Sequence, residues 1–474
     1  MTFKKISGWL TLAAITSLFF RRGIFHPFIL QPFEVLIFTA VFFGLVAIVR
    51  NGIKYEEKIL LIYWLKRISL LLGLFALGFF YSFLSFSPNI KVLSDLLRDY
   101  FLLFSCASAF FLILYHGSQL RFIKSSLKSF LINLSFAIFL IVPSLIFFIN
   151  VTEGYGGLFL GFHDSRTAFG NFLLIPFAVM LALFIKNRKM SFKISAWIGT
   201  TALTALILWT SARGAYFTII LITLFVYFIT TSRKKLLPRA FLFLSVGIIS
   251  VAIAYIFLPQ RARNTVLLRV FPQYSYLQNL SSFSQEELTR IGITPDTITA
   301  TRKSTTLFNT DGLVMVPIVR DGDLLKFILK NPRPELNTSS RISIWSQALP
   351  LFLQNPFGLS TQFYNTSKKI DDEAVSSHLA GSHNTFLQIG LSGGWIALLL
   401  FLGYIFKIYK SLKDTRDESW EWLALAAANF GIFITLLFDD RLFDPWAWVI
   451  TSLAIAYAYT RAGVIAEVSA PKTF

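Results

Sequence analysis

The sequence predicts an all-α polytopic membrane protein with about twelve transmembrane helices and one large extracytoplasmic loop. Hydrophobic residues make up 55% of the 474 residues against 15% charged, with a mean hydropathy of +0.64. A soluble core of this length cannot absorb that balance. Apolar runs such as 194–208 and 241–258 recur along the chain and approach the ~20 residues needed to cross a hydrocarbon layer of ~30 Å. Basic residues cluster between these runs, dense in one turn and sparse in the next. The short alternating segments of a transmembrane barrel do not dominate, so helices must satisfy the backbone in lipid.

In chain order, Lys4 and Lys5 precede a first apolar stretch that ends at Arg21, in the manner of a signal peptide. No small-residue cleavage site stands behind it, and it is expected to remain as an uncleaved first helix. Spans are predicted near 6–20, 33–49, 68–86, 97–115, 130–149, 168–185, 194–210, 213–230, 240–258, 386–406, 420–438 and 445–460. Residues 1–258 thus form an N-terminal bundle of nine spans, 259–383 the large loop, and 384–474 a C-terminal part of three spans.

With the N-terminus inside, the even-numbered turns carry Arg50, Lys54 and Lys58, then Arg121, Lys124 and Lys128, then Lys186, Arg188, Lys189 and Lys193. Arg233, Lys234, Lys235 and Arg239 continue the trend, as do Lys407, Lys410, Lys413 and Arg416. The opposite turns carry mainly Arg21, Arg22, Lys91, Arg166, Arg213 and Arg441. The positive-inside rule then places both termini in the cytoplasm and the large loop outside it. The same distribution argues against nucleic acid as the partner of the +19 net charge, because a nucleic-acid face would be a basic patch on a soluble domain. The single cysteine, Cys106, lies in an apolar run, which excludes an intramolecular disulfide.

The large loop is polar and irregular, with clusters such as "NPRPELNTSS", and long loops of this kind are usually lids or binding elements. Two stretches in it read as helical, Gln285–Ile291 and Arg341–Leu353, the second interrupted by Pro350 and expected to lie in the interface with Trp345 as its anchor.

Three outer-face arginines sit at the membrane edge: Arg166 in "GFHDSRTAFGN", Arg213 in "WTSARGAYF" and Arg341 in "SSRISIW". A permanent cation at that depth is expensive and marks a site by default, against the plainer reading of a snorkelling or interfacial arginine. Arg213 also divides an apolar run from Ile194 to Ile229 into a re-entering pair. His383, in "GSHNTFLQIGLSGGW", stands where the loop enters the next span, and His378 is close by. Either could transfer a proton near neutral pH on local grounds, or be a hydrogen-bonded interfacial histidine. Asn384 follows His383, and Asn384, His378 and Ser211 are the supporting candidates. No HExxH, CxxC or carboxylate triad accompanies the histidines, so no metal and no other cofactor is expected. Asp439, Asp440 and Arg441 read as an ion-paired surface turn.

The order of "SARGA" at the start of a span, "RISIWSQALPLFLQNPFGLS" in the outer loop and "SHNTFLQIGLSGGWIALLLFL" opening the next span resembles the O-antigen ligase and Wzy-type polymerase family. "RTAFGNFLLIP" is similar to that family's arginine-bearing segment, and the resemblance runs from about residue 162 to 438. One departure is that Ser211 is separated from Arg213 by Ala212, where many members have Ser directly before Arg. The resemblance implies a GT-C-like membrane glycosyltransferase of the bacterial inner membrane. Such an enzyme moves a glycan from undecaprenyl diphosphate to an acceptor hydroxyl on the periplasmic face, without a metal. It further implies that Arg166, Arg213 and Arg341 bind the diphosphate and that His383 is the catalytic residue facing the acceptor. The partners implied are the lipid-linked glycan donor, a lipid A-core or lipid-linked glycan acceptor, and membrane lipid. Ligase and polymerase share this chemistry, with protein O-glycosylation a third choice of acceptor. A lipid-linked oligosaccharide flippase is the competing class, although it has little use for a long outer loop.

Overall fold

The computed structural model describes residues 2–18, 31–53, 55–86, 90–147, 153–154, 158–159, 166–187, 189–210, 212–231, 247–253, 255–256, 348–358, 384–439 and 444–469. Its elements are α1 (Phe3–Ser17), α2 (Pro32–Asn51), α3 (Tyr55–Phe86), α4 (Ile90–His116), α5 (Leu120–Phe147), a strand pair β1 (Glu153–Gly154) and β2 (Leu158–Phe159), α6 (Arg166–Phe172), α7 (Leu174–Lys186), α8 (Met190–Thr210), α9 (Arg213–Thr230), α10 (Thr385–Asp414), α11 (Trp420–Phe438) and α12 (Pro445–Ser469). Residues 247–253 and 348–354 are helical as well. The two-residue antiparallel pair β1–β2 is a small departure from an all-α chain.

Helix ends follow local chemistry. Pro32 stands in the first turn of α2, where its missing N–H forfeits nothing, and a capping box joins Gln31 to Glu34. Gly52, at φ 69°, closes α2 with its N–H on the Ile48 carbonyl at 2.8 Å. The predicted span 168–185 is one apolar run in the sequence but two helices in the structure. The interruption is the single residue Leu173, bridged by the Leu173 N–H on the Phe169 carbonyl at 3.0 Å and the Phe177 N–H on the Leu173 carbonyl at 3.1 Å. Pro176 has no N–H to offer the Phe172 carbonyl, and Thr167–Lys186 remains one span. The span predicted at 68–86 starts early, at Tyr55, because α3 first runs through a basic, partly exposed turn with Lys58, Lys66 and Arg67.

Among the described residues, six stretches are long and apolar enough to cross a membrane: Pro32–Asn51, Glu57–Leu77, Thr167–Lys186, Met190–Thr210, Thr385–Asp414 and Trp420–Phe438. Phe101–His116 and Gly214–Thr230 are apolar but shorter. Outward-facing Phe42, Val49, Leu399 and Phe406 are exposed on these helices, as expected where lipid is the solvent.

The chain forms two compact units. The first comprises residues 1–133, 185–187 and 339–474. Its core packs Leu71 and Phe75 of α3 with Leu103 of α4 and with Ile389 and Ala397 of α10, and Trp448 of α12 lies against them. The Tyr404 hydroxyl donates to the Arg67 carbonyl at 2.6 Å. At one end of this unit the basic turns gather with their counter-charges. Lys4 pairs with buried Glu57 at 3.1 Å, and the Ser118 hydroxyl donates to the same carboxylate at 2.9 Å. Lys124 meets Glu421 at 2.9 Å, Lys186 meets Glu418, and Thr460 donates to the Gly117 carbonyl at 2.9 Å. Asp417 holds Arg461 at 3.1 Å and accepts from Tyr457 and Ser419. Burial pushes the Asp417 carboxyl up. The hydrogen bonds from Ser419 and Tyr457, aided by the Arg461 guanidinium, outweigh it and hold the group below the usual carboxylate range. The turns before α3, after α4 and after α10 thus share one end, as an alternating up-and-down path requires.

The second unit comprises residues 134–184 and 188–338. Within it α8 packs on α6, α9 and β2, and α6 also packs on α9. Trp197 and Thr201 of α8 each reach the buried Ser250 hydroxyl at 3.2 Å, which ties α8 to the helical turns at 247–253.

Candidate functional site

Arg213 opens α9 and Arg166 opens α6, both in the second unit, with the helical backbone described at each. A helix break is present where Arg213 is expected to divide the apolar run. α8 ends at Thr210 and α9 begins at Arg213, with Ala212 in extended conformation between them. Thr210 is wholly buried, donates to the Ile207 carbonyl at 2.7 Å and accepts from the Ala212 N–H at 3.3 Å. Tyr216, one turn into α9, donates back to the Leu208 carbonyl at 2.7 Å. This turn packs on α6 through Gly170. A Cβ built there would stand 2.8 Å from the Thr210 hydroxyl and 2.9 Å from the Ala212 Cβ. Arg166 lies one turn before Gly170 on the same helix. The structure therefore joins, at backbone level, the two segments that carry Arg166 and Arg213.

Arg341, His378, His383 and Ser211 lie outside the described residues, as do Gln285–Ile291, the acidic run Asp371–Glu373, Asp440 and Arg441. Asn384 is described. It caps α10, its Oδ1 accepting the Leu387 N–H at 3.0 Å, while its Nδ2 donates to the Leu437 carbonyl in the last turn of α11 at 3.1 Å. The neighbouring Thr385, wholly buried, donates to the Asp439 carbonyl at 2.6 Å. The residue that follows His383 is thus pinned to the end of α11 by side-chain bonds from two consecutive positions. Asp439, expected in an ion-paired surface turn, is 4% exposed, while Asp440 and Arg441 of that turn lie outside the described residues.

The end of the loop's second predicted helix is described as well. The segment 348–358 packs on α10 and enters a break in it, while Arg341 and Trp345 lie outside the described residues. Gly394 has φ 75° inside α10, and a Cβ there would stand 1.8 Å from the Pro356 carbonyl oxygen. Gly358 has φ 83°, and its Cβ would meet the Ser392 carbonyl and the N–H groups of Gly393 and Gly394 at 2.6–2.7 Å. The Trp395 N–H donates to Pro356 O at 3.0 Å, and its indole N–H to Phe352 O at 3.1 Å. The Phe352 ring fills the space left by Gly390, within 2.6 Å of where a Cβ would be. Sequence reasoning passed over Gly358, Gly394 and Trp395. The signal available was the pair of turn-forming strings "NPFG" and "SGGW" inside otherwise apolar helical stretches.

Among the described residues no three His, Cys, Asp or Glu side chains gather in a way that could hold a metal ion.

Residues 198–402 match the model of the Wzy_C family, described as O-antigen ligase. No curated protein matches the chain. The matched stretch includes the Arg213 turn, the 348–358 segment and the first half of α10. The chain is a multi-pass membrane protein with the O-antigen ligase family's resemblance over residues 198–402, as its motifs predict.

Proposed function

We propose that this protein is an O-antigen ligase: a metal-independent, inverting glycosyltransferase that moves a glycan from undecaprenyl diphosphate to a lipid A-core hydroxyl. It works at the periplasmic face of the bacterial inner membrane, with about twelve crossings and both termini cytoplasmic. What carries the reading is the meeting, inside the family match, of "LFLQNPFG" with "LSGGW". Two motifs that the sequence related only by order touch in space. The close packing of α6 on the Arg213 turn supports it further.

In this scheme Arg166, Arg213 and Arg341 present guanidinium forks to the donor diphosphate, whose oxygens they match in pairs. The bond between the anomeric carbon and the diphosphate oxygen breaks, and charge builds on the leaving group, where preorganised cations lower the barrier. His383 takes the proton of the acceptor hydroxyl as that oxygen attacks from the opposite face, which inverts the anomeric carbon. The products are the joined glycan and undecaprenyl diphosphate. Asn384 positions the histidine by fixing the start of α10, and Ser211 and His378 are the supporting residues of the scheme.

A Wzy-type polymerase, which passes the glycan to another lipid-linked repeat, uses the same bond chemistry and is the second reading. Purified protein given undecaprenyl-diphosphate glycan, with and without lipid A core and with and without EDTA, separates them. Capped lipid A core formed in EDTA is expected. Longer lipid-linked chains would mean a polymerase, no product would reject both readings, and restoration by one divalent ion would reject the metal-free step.

A further inference from the structure

We propose that the Asn355–Gly358 turn is a positioning wedge for the transfer site: set into the break of α10, it holds the loop's returning leg in register with the start of that helix. The inference rests on the functional reading above. A break in a membrane-spanning helix frees backbone groups that lipid cannot satisfy, and sharp kinks have identifiable causes. Here the break lies nine residues into α10, about 14 Å along its axis, where an unbroken helix would be the cheaper solution. The chain instead places a second backbone in the gap. Pro356 O takes up the Trp395 N–H, and Gly358 and Gly394 both occupy the left-handed region of φ, where glycine is favoured.

The contacts converge on the break itself. Phe352 meets Gly390 and Trp395, Pro356 meets Gly394 and Trp395, and Gly358 meets residues 392–394, so the turn is held from several sides of the break. Gly393 leaves room for the Phe75 ring of α3, whose nearest atom is 2.7 Å from a would-be Cβ, so the break is backed by the core on its other side. Asn384 and Thr385 tie the upstream end of α10 to the end of α11. Arg341 lies eleven residues before Phe352, and His383 seven before Gly390. The wedge therefore sets the register between the two segments that lead to the proposed cation and the proposed base. A 1 Å error in such a register costs a reaction dependent on orientation about 10²-fold.

The test uses full-length protein with Cys106→Ser, which removes its single native thiol, and spin labels at Leu349→Cys and Leu399→Cys, exposed positions on the two segments that the wedge joins. Turnover is measured on undecaprenyl-diphosphate glycan in the enzyme without labels. Gly358→Ala and Gly394→Ala are expected to lower kcat by about 10²-fold, with donor KM within about twofold, and to broaden the label-to-label distances. Gly403→Ala, on the same helix with open space around its Cα, is expected to change neither. Trp395→Phe keeps the ring and the backbone N–H but loses the indole donor. It should lower kcat about fivefold, as the loss of one hydrogen bond allows, without loss of folded protein. Full turnover in a folded glycine variant overturns the proposal, and so does lost turnover with distances as narrow as in the parent. Should the glycine variants fail to fold, Trp395→Phe decides, and parent-like kcat and distances there overturn it. A parent that transfers no polyprenyl-diphosphate glycan would instead sink the functional reading. Distances no broader in Gly394→Ala would then still overturn the wedge, and broader ones support it.

Discussion

Replacing Asn384 separates two jobs that one side chain performs. Its Oδ1 caps α10 by accepting from Leu387 at 3.0 Å, and its Nδ2 bridges to the Leu437 carbonyl at 3.1 Å. Loss of an N-cap costs about 1 kcal/mol, and loss of one interhelical hydrogen bond about 1 kcal/mol more. Asn384→Ala, which removes both, should therefore lose about 2 kcal/mol. Asn384→Ser, which keeps a capping oxygen and lacks the reach to Leu437, should lose about half of that. By the scaling of domains of 150–250 residues, each kcal/mol lowers Tm by roughly 2–4 °C, so the alanine variant should unfold about 4–8 °C below the parent and the serine variant between them. Thermal unfolding in detergent, followed by intrinsic tryptophan fluorescence, checks the order. Transfer should fall in the same order, because the residue before the cap is His383. Equal melting of the serine and alanine variants would refute the cap. Parent-like melting of the serine variant would refute the Leu437 bridge.

Acid should weaken the end of the first unit where Asp417 sits. Its pKa is held below the ordinary 3.8, so its stabilising contribution is fully present above about that pH and disappears as pH falls through the lower folded value. Asp417→Asn should flatten the decline of Tm measured from pH 5 to pH 2.5, and an unchanged decline would exclude Asp417 as its source. Gly170→Ala should lower Tm by overpacking α6 on Thr210 and Ala212, at a cost of about 1–3 kcal/mol, whereas Gly247→Ala, with open space around it, should be silent in the same melt. Arg213→Lys keeps charge but loses the fork and should weaken donor binding as well as turnover. His383→Ala should lower turnover by roughly 10² to 10⁴ with donor binding nearly intact, and His378→Ala should do much less. The opposite ranking in a donor-binding and transfer assay would reassign the base.

Much of the helical layout was legible in the chain because lipid imposes it locally. α9 and α11 occupy residues 213–230 and 420–438, the stretches that apolar length and flanking polarity predict. The Arg213 turn was legible for the same reason, since a cation interrupts an apolar run. The α6–α7 break was not, because an apolar count does not notice that Pro176 leaves the Phe172 carbonyl without its donor. Nor was the burial of Asp439 legible, whose carbonyl meets Thr385 from far away in the chain.

By itself the sequence determined that this is a multi-pass helical membrane protein, which turns carry the basic residues, and which arginines and histidines are worth testing. Those properties depend on composition and spacing within single segments, since each helix must satisfy its own backbone in lipid. Only the tertiary structure decided that "NPFG" enters the break at Gly394, that Asn384 spans from one helix to the end of another, and that the basic turns share an end with Glu57, Asp417 and Glu421. Each of these depends on two backbones approaching from distant parts of the chain. A glycine whose missing Cβ makes room for such a partner looks, in its own segment, like any other helix breaker.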